Sequence, residues 1–313
     1  MINEPALKSI DDVLVDTGLT SSRLVNLAVG IDNAYTAYNN NTMPTLTGYG
    51  NITVVQVYEI APWGNPFSSL GAIESGDGEP QGIVSYQQIG FSAVANDLSH
   101  NILVLRGTVT YEETGYDLLY WDSKVPCQLP YDNPLETLGN ANEGLYDLYG
   151  ESGLLYDSLA TSFQAAISQL ALINPGKPLY IAAHSLGGAL ATLGAIDTVL
   201  SGSYGNGPLP VLITFGSLHV GDPAFKQAFD KLGILTLRFA NLCDFVPSLV
   251  SLYPPSNKND ILPENGYTHV GIECTFVWQK WDDWRNHSMS DTYLAVVQNY
   301  LDVVKIGPRV YPQ

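Results

Sequence analysis

The spacing of apolar residues predicts an alternation of helices and strands along most of the chain. Leucine, valine, alanine and tyrosine recur at near-helical spacing over residues 24–38, which predicts a helix. Residues 51–60 form a mixed apolar run that fits either a strand or an edge helix. Residues 82–94 alternate and residues 101–107 are a short apolar run, so both are predicted strands, with Asn96-Asp97 as the hairpin turn.

The middle of the chain breaks this regularity. Residues 108–142 contain three prolines and no clear period, which predicts a long loop, and long loops in compact domains are often functional. Residues 143–173 predict a helix that is interrupted near 150–153. After Gly176, apolar strands alternate with helices up to a final predicted helix at 290–304. This alternation is typical of an α/β fold with a mostly parallel sheet, to which the early hairpin adds antiparallel strands at one side.

Composition fits one globular domain and limits its partners. The 313 residues are 45% hydrophobic, enough for a sizeable core, and we predict a single domain over 1–313. Lys and Arg number 13 against 31 Asp and Glu, a formal net charge of -18. This excess disfavours nucleic acid, which is bound through Lys and Arg contacts to phosphates, and anionic lipid surfaces. A neutral substrate, free or at a lipid-water interface, fits better.

The cysteines and the N-terminal residues add weaker constraints. Cys127, Cys243 and Cys274 form no C-x-x-C pair, so no cysteine zinc site is expected, and at most one disulfide can form. The N-terminal stretch lacks the basic and apolar regions of a secretory signal, and no run is long enough to span a bilayer. The expected location is therefore cytoplasmic, or reached by a route that this chain does not display. The oligomeric state stays open.

One short segment carries the strongest chemical signal. Residues 180–193, "YIAAHSLGGALATL", place Ser185 between an apolar strand and an Ala/Leu-rich helix. A serine on such a sharp turn is held exposed in a strained conformation, and the positions two before and two after it must be small. Ala183 and Gly187 meet that requirement, with Ala in place of the more usual Gly. The Leu186 amide, at the positive end of the helix, would face an oxyanion formed at the serine.

A small-x-Ser-x-small pattern also occurs by chance. A catalytic assignment therefore also requires a base and an acid that orients the base. In α/β-hydrolases the acid and then the histidine follow the serine along the chain, each on a loop after a strand. Asp244 follows an apolar strand, and His287 lies in a polar loop before the last helix. His269 is the alternative base, but its Tyr/Val/Ile surroundings favour a structural role, and Asp222 is better explained as a helix cap. The other histidines are given no catalytic role: His100, His184 and His219.

A second oxyanion donor must come from elsewhere in the fold. The apolar strand at residues 101–105 ends in Arg106-Gly107-Thr108. Gly107 permits close approach of the backbone to a ligand, and Thr108 offers an amide and a hydroxyl. Alone, this tripeptide is equally well explained as an ordinary strand terminus.

Taken together, these segments resemble the class 3 lipase family, the fungal-type triacylglycerol lipases and their relatives. The resemblance covers most of residues 24–301, and its motifs are specific in combination and in order. It is carried by "ILVLRGT" (102–108), "AAHSLGGALATL" (182–193), "LITFGSLHVGDPAF" (212–225), "RFANLCDFVPSL" (238–249), "YTHVGIE" (267–273) and "NHSMSDTYL" (286–294).

The resemblance implies an α/β-hydrolase fold, with a central sheet flanked by helices. It implies Ser185 as nucleophile, Asp244 as acid and His287 as base, with the Thr108 and Leu186 amides as oxyanion donors. It also implies a lid after the oxyanion strand, at residues 109–117, which here carries two glutamates and two tyrosines. No cofactor or metal is implied.

The expected function is hydrolysis of carboxylic esters, either acylglycerols or other neutral esters, through an acyl-enzyme. The polar lid favours a broad esterase or lipase over an enzyme that strictly requires an oil interface. Phospholipase A1, feruloyl esterase and polyester esterase remain alternatives on the same scaffold. A lipase-like binding module without catalysis is the alternative from another class.

Overall fold

The computed structural model describes residues 9–61, 73–74, 80–81, 83–109, 124–130, 136–150, 152, 157–248 and 266–307. The strands of this part are β1 (Tyr49–Ala61), β2 (Ile73–Glu74), β3 (Pro80–Gln81), β4 (Ile83–Ala95), β5 (Asn101–Leu105), β6 (Lys124–Leu129), β7 (Glu136–Asn142), β8 (Leu179–His184), β9 (Val211–Phe215), β10 (Leu235–Asn241), β11 (Ile272–Phe276) and β12 (Lys305–Ile306). Its α-helices are α1 (Ile10–Asp16), α2 (Ser21–Asn40), α3 (Glu143–Gly150), α4 (Leu159–Ile173), α5 (Leu186–Ser201), α6 (Pro223–Lys231), α7 (Asp283–His287) and α8 (Ala295–Asn299).

One mixed sheet organises the described residues, in the order β1-β4-β5-β8-β9-β10-β11-β12. The neighbours from β5 through β8, β9 and β10 to β11 are all parallel. At one side β1, β4 and β5 pair antiparallel, and at the other β12 pairs antiparallel with β11. The predicted mostly parallel sheet with antiparallel strands at one side is confirmed, and residues 51–60 are strand rather than helix.

Helices cover both faces of this sheet. One core cluster joins α3, α4, α5 and α6 to one face, and a second joins α1, α2 and the C-terminal helices to the other. The central strand β8 shows the consequence, since every residue in it is buried. Leu179, Ile181 and Ala183 belong to the first cluster, whereas Tyr180 and Ala182 belong to the second. A strand buried on both faces reads as a continuous apolar run, as this one does.

Two helices begin at a residue whose side chain caps the first turn. The Asp222 carboxylate accepts a hydrogen bond from the Phe225 amide, and Pro223 occupies the first turn of α6. Asp222 is therefore a helix cap, as predicted. Ser158 caps α4 in the same way by accepting from the Thr161 amide.

Two sequence predictions were wrong. Part of the expected loop at 108–142 is the antiparallel pair β6 and β7, whose register shifts next to Pro126. A bulge tolerates a proline that a regular ladder excludes, so the prolines did not prevent pairing. The expected continuous helix at 290–304 is a π-helical segment (Met289–Leu294), then α8, then a 3-10 turn (Leu301–Val303).

The three cysteines are free thiols. Cys127 and Cys274 are buried, and burial raises the pKa of each thiol to about 12. Both thiols are therefore protonated at neutral pH and unreactive as nucleophiles. In the part of the chain described above, no helix is both long and apolar enough to cross a membrane.

Candidate active site

Ser185 occupies the sharp turn between β8 and α5. Its backbone has φ +56° and ψ −130°, a conformation that residues other than glycine rarely adopt. The turn is held from both sides: the Ser185 amide donates to the Phe215 carbonyl at 2.9 Å, and the Gly188 amide donates to the Ser185 carbonyl at 2.9 Å. A strained backbone that its surroundings hold in place is typical of a functional serine.

The residues around the turn are small because there is no space for larger ones. A Cβ on Gly187 would lie 2.2 Å from the Arg106 carbonyl oxygen, and one on Gly188 would lie 2.7 Å from the Ser217 side chain. Ala183, at the position where the pattern usually has glycine, is fully buried. The predicted size requirement on both sides of Ser185 is therefore a direct steric consequence of the turn.

Gly187→Ala is expected to lower the free energy of unfolding by about 2–3 kcal/mol, because the new methyl group collides with backbone that cannot rotate away. Chemical denaturation of the two proteins measures the difference. Gly50→Ala is the matched control, since its Cβ would lie 3.3 Å from the end of a side chain, Asn96 Oδ1. Equal stabilities of the Gly187 variant and wild type would contradict the packing described here.

The structure brings the predicted serine, acid and histidine into one hydrogen-bonded row. His287 Nε2 lies 2.7 Å from Ser185 Oγ, and His287 Nδ1 lies 2.7 Å from Asp244 Oδ2. Asp244 follows β10, and His287 is the last residue of α7. All three residues are buried, so these contacts lie in a region of low effective dielectric.

Asp244 is held by two further donors. The Tyr293 hydroxyl donates to Oδ2 at 2.6 Å, and the Val246 amide donates to Oδ1 at 2.9 Å. Burial and the nearby Asp244 charge raise the pKa of Tyr293 well above its usual value. Tyr293 therefore remains a proton donor to the carboxylate. The sequence analysis missed this residue, because a tyrosine in a helical segment gives no local sign of such a contact.

Asn241 connects the acid to the histidine helix. Its side-chain amide donates to the Trp278 and Asn286 carbonyls, and its oxygen accepts from the Trp278 and Cys243 amides. The loop that carries Asp244 and the segment that leads to His287 are thus fixed to one side chain. The sequence analysis missed Asn241 too, although a polar residue at the end of a buried strand is a usable signal.

The second predicted oxyanion segment lies against the serine. A Cβ on Gly107 would be 2.5 Å from Ser185 Cβ, so the strand end touches the turn. The buried Arg106 Nη1 donates to the Gly107 carbonyl at 2.6 Å. Because a peptide group is planar, fixing this carbonyl also fixes the direction of the Thr108 amide. Leu186 begins α5, where the first amides have no carbonyl partner within the helix.

The part of the chain that carries Ser185 and Asp244 matches a known protein family. Residues 102–253, which include most of β5, the Ser185 turn and Asp244, match the family model for lipase (class 3). Over this region the chain is similar to the class 3 lipases. The resemblance inferred from the sequence is therefore confirmed.

Two curated relatives of this chain come from plants. One is named Galactolipase DONGLE, chloroplastic, from Arabidopsis thaliana; it is 32% identical over 211 residues, or 60% of this chain and 44% of the relative. The other is named Phospholipase A1 EG1, chloroplastic/mitochondrial, from Oryza sativa subsp. indica; it is 32% identical over 229 residues, or 67% of this chain and 52% of the relative. The chain spans about half the length of these relatives.

A solved structure supports the fold. Lipase II from Rhizopus niveus matches with a TM-score of 0.55 at 12% identity, over 96% of this chain and 86% of that one. At this identity the likeness concerns the fold alone. The chain has the α/β-hydrolase fold, with a mostly parallel central sheet flanked by helices.

The alternative base, His269, has other partners. Its Nε2 donates to the Pro247 carbonyl at 2.9 Å, and its ring stacks on His219 with ring centroids 3.5 Å apart. Burial lowers the pKa of His219 to about 4 and that of His269 well below its usual value, so both rings are neutral. His100 bonds to Tyr49 and is also neutral, since burial lowers its pKa to about 4. The sequence preference for His287 agrees with these positions.

Most of the predicted lid lies outside the described residues. Of residues 109–117, only Val109 belongs to the described part of the chain, and it is exposed. The described residues contain no group of three His, Cys, Asp or Glu side chains arranged to hold a metal ion.

Proposed function

We propose that this protein hydrolyses carboxylic ester bonds of acyl lipids through an acyl-enzyme on Ser185. The observation that carries the proposal is the hydrogen-bonded row of Ser185, His287 and Asp244 at a strained strand-to-helix turn. A serine is a weak nucleophile unless a base stands within hydrogen-bond reach and a third group orients that base. Here both requirements are met.

The reaction runs in two half-cycles. His287 Nε2 takes the Ser185 proton while Oγ attacks the ester carbonyl, and Asp244 stabilises the imidazolium that forms. The tetrahedral intermediate then collapses, His287 gives its proton to the departing alcohol, and the acyl group stays on Oγ. Water repeats the attack with His287 as base, which releases the carboxylic acid and restores the Ser185 hydroxyl.

In this proposal the Thr108 and Leu186 amides hold the oxyanion. The contact of Gly107 with Ser185 and the start of α5 at Leu186 support this placement. Each such donor is typically worth ~2.7–4 kcal/mol of transition-state stabilisation. Because both donors are backbone groups on packed elements, they need little reorganisation as charge develops.

The substrate class follows from charge and from the relatives. A net charge of -18 disfavours anionic lipid surfaces, so neutral or zwitterionic esters are the expected substrates. The names of the two plant relatives specify galactolipase and phospholipase A1 activities. Removal of a fatty acid from a galactolipid or a zwitterionic phospholipid is therefore the favoured specific reaction, and triacylglycerol cleavage is the second.

A substrate panel tests this proposal. Wild-type protein is incubated with p-nitrophenyl esters of rising chain length, triacylglycerol, phosphatidylcholine and a galactolipid, with and without detergent, and released fatty acid is measured. We expect turnover of long-chain esters and of at least one neutral or zwitterionic polar lipid. Preference for short soluble esters alone would move the proposal to an esterase of the feruloyl or polyester type. No turnover of any ester would favour the binding-module alternative.

A further inference from the structure

We propose that Tyr35 and His184 are positioning residues that hold the base His287 and the oxyanion strand in one fixed arrangement. The inference rests on the proposed function and adds two residues to it. His184 Nε2 lies 2.8 Å from the His287 carbonyl oxygen, and His184 Nδ1 lies 2.6 Å from the Tyr35 hydroxyl. The same hydroxyl accepts the Gly107 amide at 2.7 Å.

Three hydrogen bonds join Gly107, Tyr35, His184 and His287, and we call them the Tyr35–His184 link. The chemistry of the groups fixes the direction of each of these hydrogen bonds. A carbonyl can only accept, so His184 Nε2 carries the hydrogen that goes to His287. Complete burial and the neighbouring His287 lower the pKa of His184 well below its usual value, so the ring is neutral and Nδ1 is an acceptor. Tyr35 therefore donates to Nδ1 and accepts from the Gly107 amide. No member of the link has two alternative roles, which makes it a rigid connection.

The link joins parts of the proposed site that are distant in sequence. It runs from α2 through the end of β5 and the end of β8 to the last residue of α7. The ring of His184 also lies against that of His287, with centroids 4.6 Å apart. His287 is thus supported both at its backbone carbonyl and on its ring face.

The same link fixes the strand that carries the oxyanion donor. Tyr35 holds the Gly107 amide, while Arg106 holds the Gly107 carbonyl. A Cβ on Gly107 would lie 2.6 Å from the Tyr35 hydroxyl, so glycine is required for this approach. Both peptide groups next to Gly107 are therefore immobilised, and the Thr108 amide is placed before substrate arrives.

The chain contains a second pair of the same kind that serves as a control. Tyr49 and His100 share a 2.8 Å hydrogen bond and an edge-on ring contact, with centroids 5.5 Å apart. None of the contacts described for this pair reaches Ser185, Asp244 or His287. Loss of the Tyr49 hydroxyl thus reports the structural cost of breaking a partly buried tyrosine–histidine hydrogen bond without disturbing the proposed site.

The test compares Tyr35→Phe with Tyr49→Phe, and His184→Asn with His184→Gln, on a p-nitrophenyl ester. We expect Tyr35→Phe to lower kcat about 10- to 100-fold with KM little changed, since small misplacements of reacting groups have effects of this size. Tyr49→Phe is expected to keep kcat at the wild-type level although its melting temperature falls. Glutamine can place an amide hydrogen near the position of Nε2 and asparagine cannot reach it, so His184→Gln should retain much more activity than His184→Asn.

A second measurement does not depend on turnover. Nitrogen NMR of histidine-labelled protein reports the His184 tautomer, and we expect Nε2–H in wild type and a changed Nδ1 signal in Tyr35→Phe. Normal kcat in Tyr35→Phe, or equal activity of the two His184 variants, would overturn the positioning role. If wild type and Ser185→Ala hydrolyse esters equally, the proposed function fails instead, so the two failures are distinguishable.

Discussion

Ser185→Ala is expected to lower kcat for ester hydrolysis by roughly 10⁴- to 10⁶-fold, to the background of the assay. Without Oγ there is no nucleophile to form the acyl-enzyme, and only oxyanion stabilisation and binding remain. The hydrogen bonds from Asp244 through His287 end at Ser185 Oγ, which lies 2.7 Å from His287 Nε2. Among the described residues, no other hydroxyl group contacts His287 Nε2 that could replace the serine. Initial rates on a long-chain p-nitrophenyl ester and on phosphatidylcholine measure the effect.

Ser92→Ala is the matched control for this variant. Ser92 is also a fully buried serine, in β4, and its hydroxyl has no hydrogen-bond partner within the described residues. We expect the Ser92 variant to retain wild-type rates and a similar melting temperature. A Ser185 variant that folds normally and stays within tenfold of wild type would show that the reaction does not pass through Ser185.

His287→Ala is expected to have an effect of the same order, roughly 10⁴- to 10⁶-fold in kcat, because serine and histidine in such a row act as one unit. Without the imidazole, the Ser185 proton has no acceptor at 2.7 Å, and the Asp244 carboxylate loses one of its three hydrogen-bond partners. Initial rates on the esters used for Ser185→Ala measure the effect.

His269→Gln separates the two histidines that the sequence analysis compared. His269 holds the Pro247 carbonyl and stacks on His219, so its loss is expected to lower stability. We expect kcat of the folded variant to stay within about tenfold of wild type, because no proton transfer in the proposed mechanism involves this ring. The reverse pattern, an active His287 variant and an inactive but folded His269 variant, would assign the base to His269.

The sequence alone predicted the turn at Ser185 because the main requirements of such a turn are local. A serine between an apolar strand and an Ala/Leu-rich helix predicts a sharp turn, and small residues at 183 and 187 satisfy the steric limit that the structure shows at Gly187. Asp222 followed by proline predicts the start of α6 for the same reason, since capping involves residues close in sequence. An acid and then a histidine must follow the serine along the chain, each after a strand. This requirement left few candidates for the acid and the base, among them Asp244 and His287.

The errors concern elements whose conformation depends on distant partners. Residues 108–142 contain prolines that predict a loop, yet β6 pairs with β7 because a bulge accommodates the register shift at Pro126. The predicted helix at 290–304 is divided, and within it Tyr293 directs its hydroxyl to Asp244. Local residue propensities cannot predict that a particular strand or carboxylate, distant in sequence, lies next to a segment in the fold.

The sequence by itself determined the α/β class, the strand-to-helix turn at Ser185 and a short set of acid and base candidates. Each of these rests on apolar periodicity, residue size or order along the chain. Only the tertiary structure decided which histidine reaches the serine, and which buried groups support it. Tyr35 and His184 are 149 positions apart, and Asp244 and Tyr293 are 49 apart. Hydrogen bonds over such separations leave no periodic pattern in the chain, because they form only when packing of the sheet and helices brings their partners together.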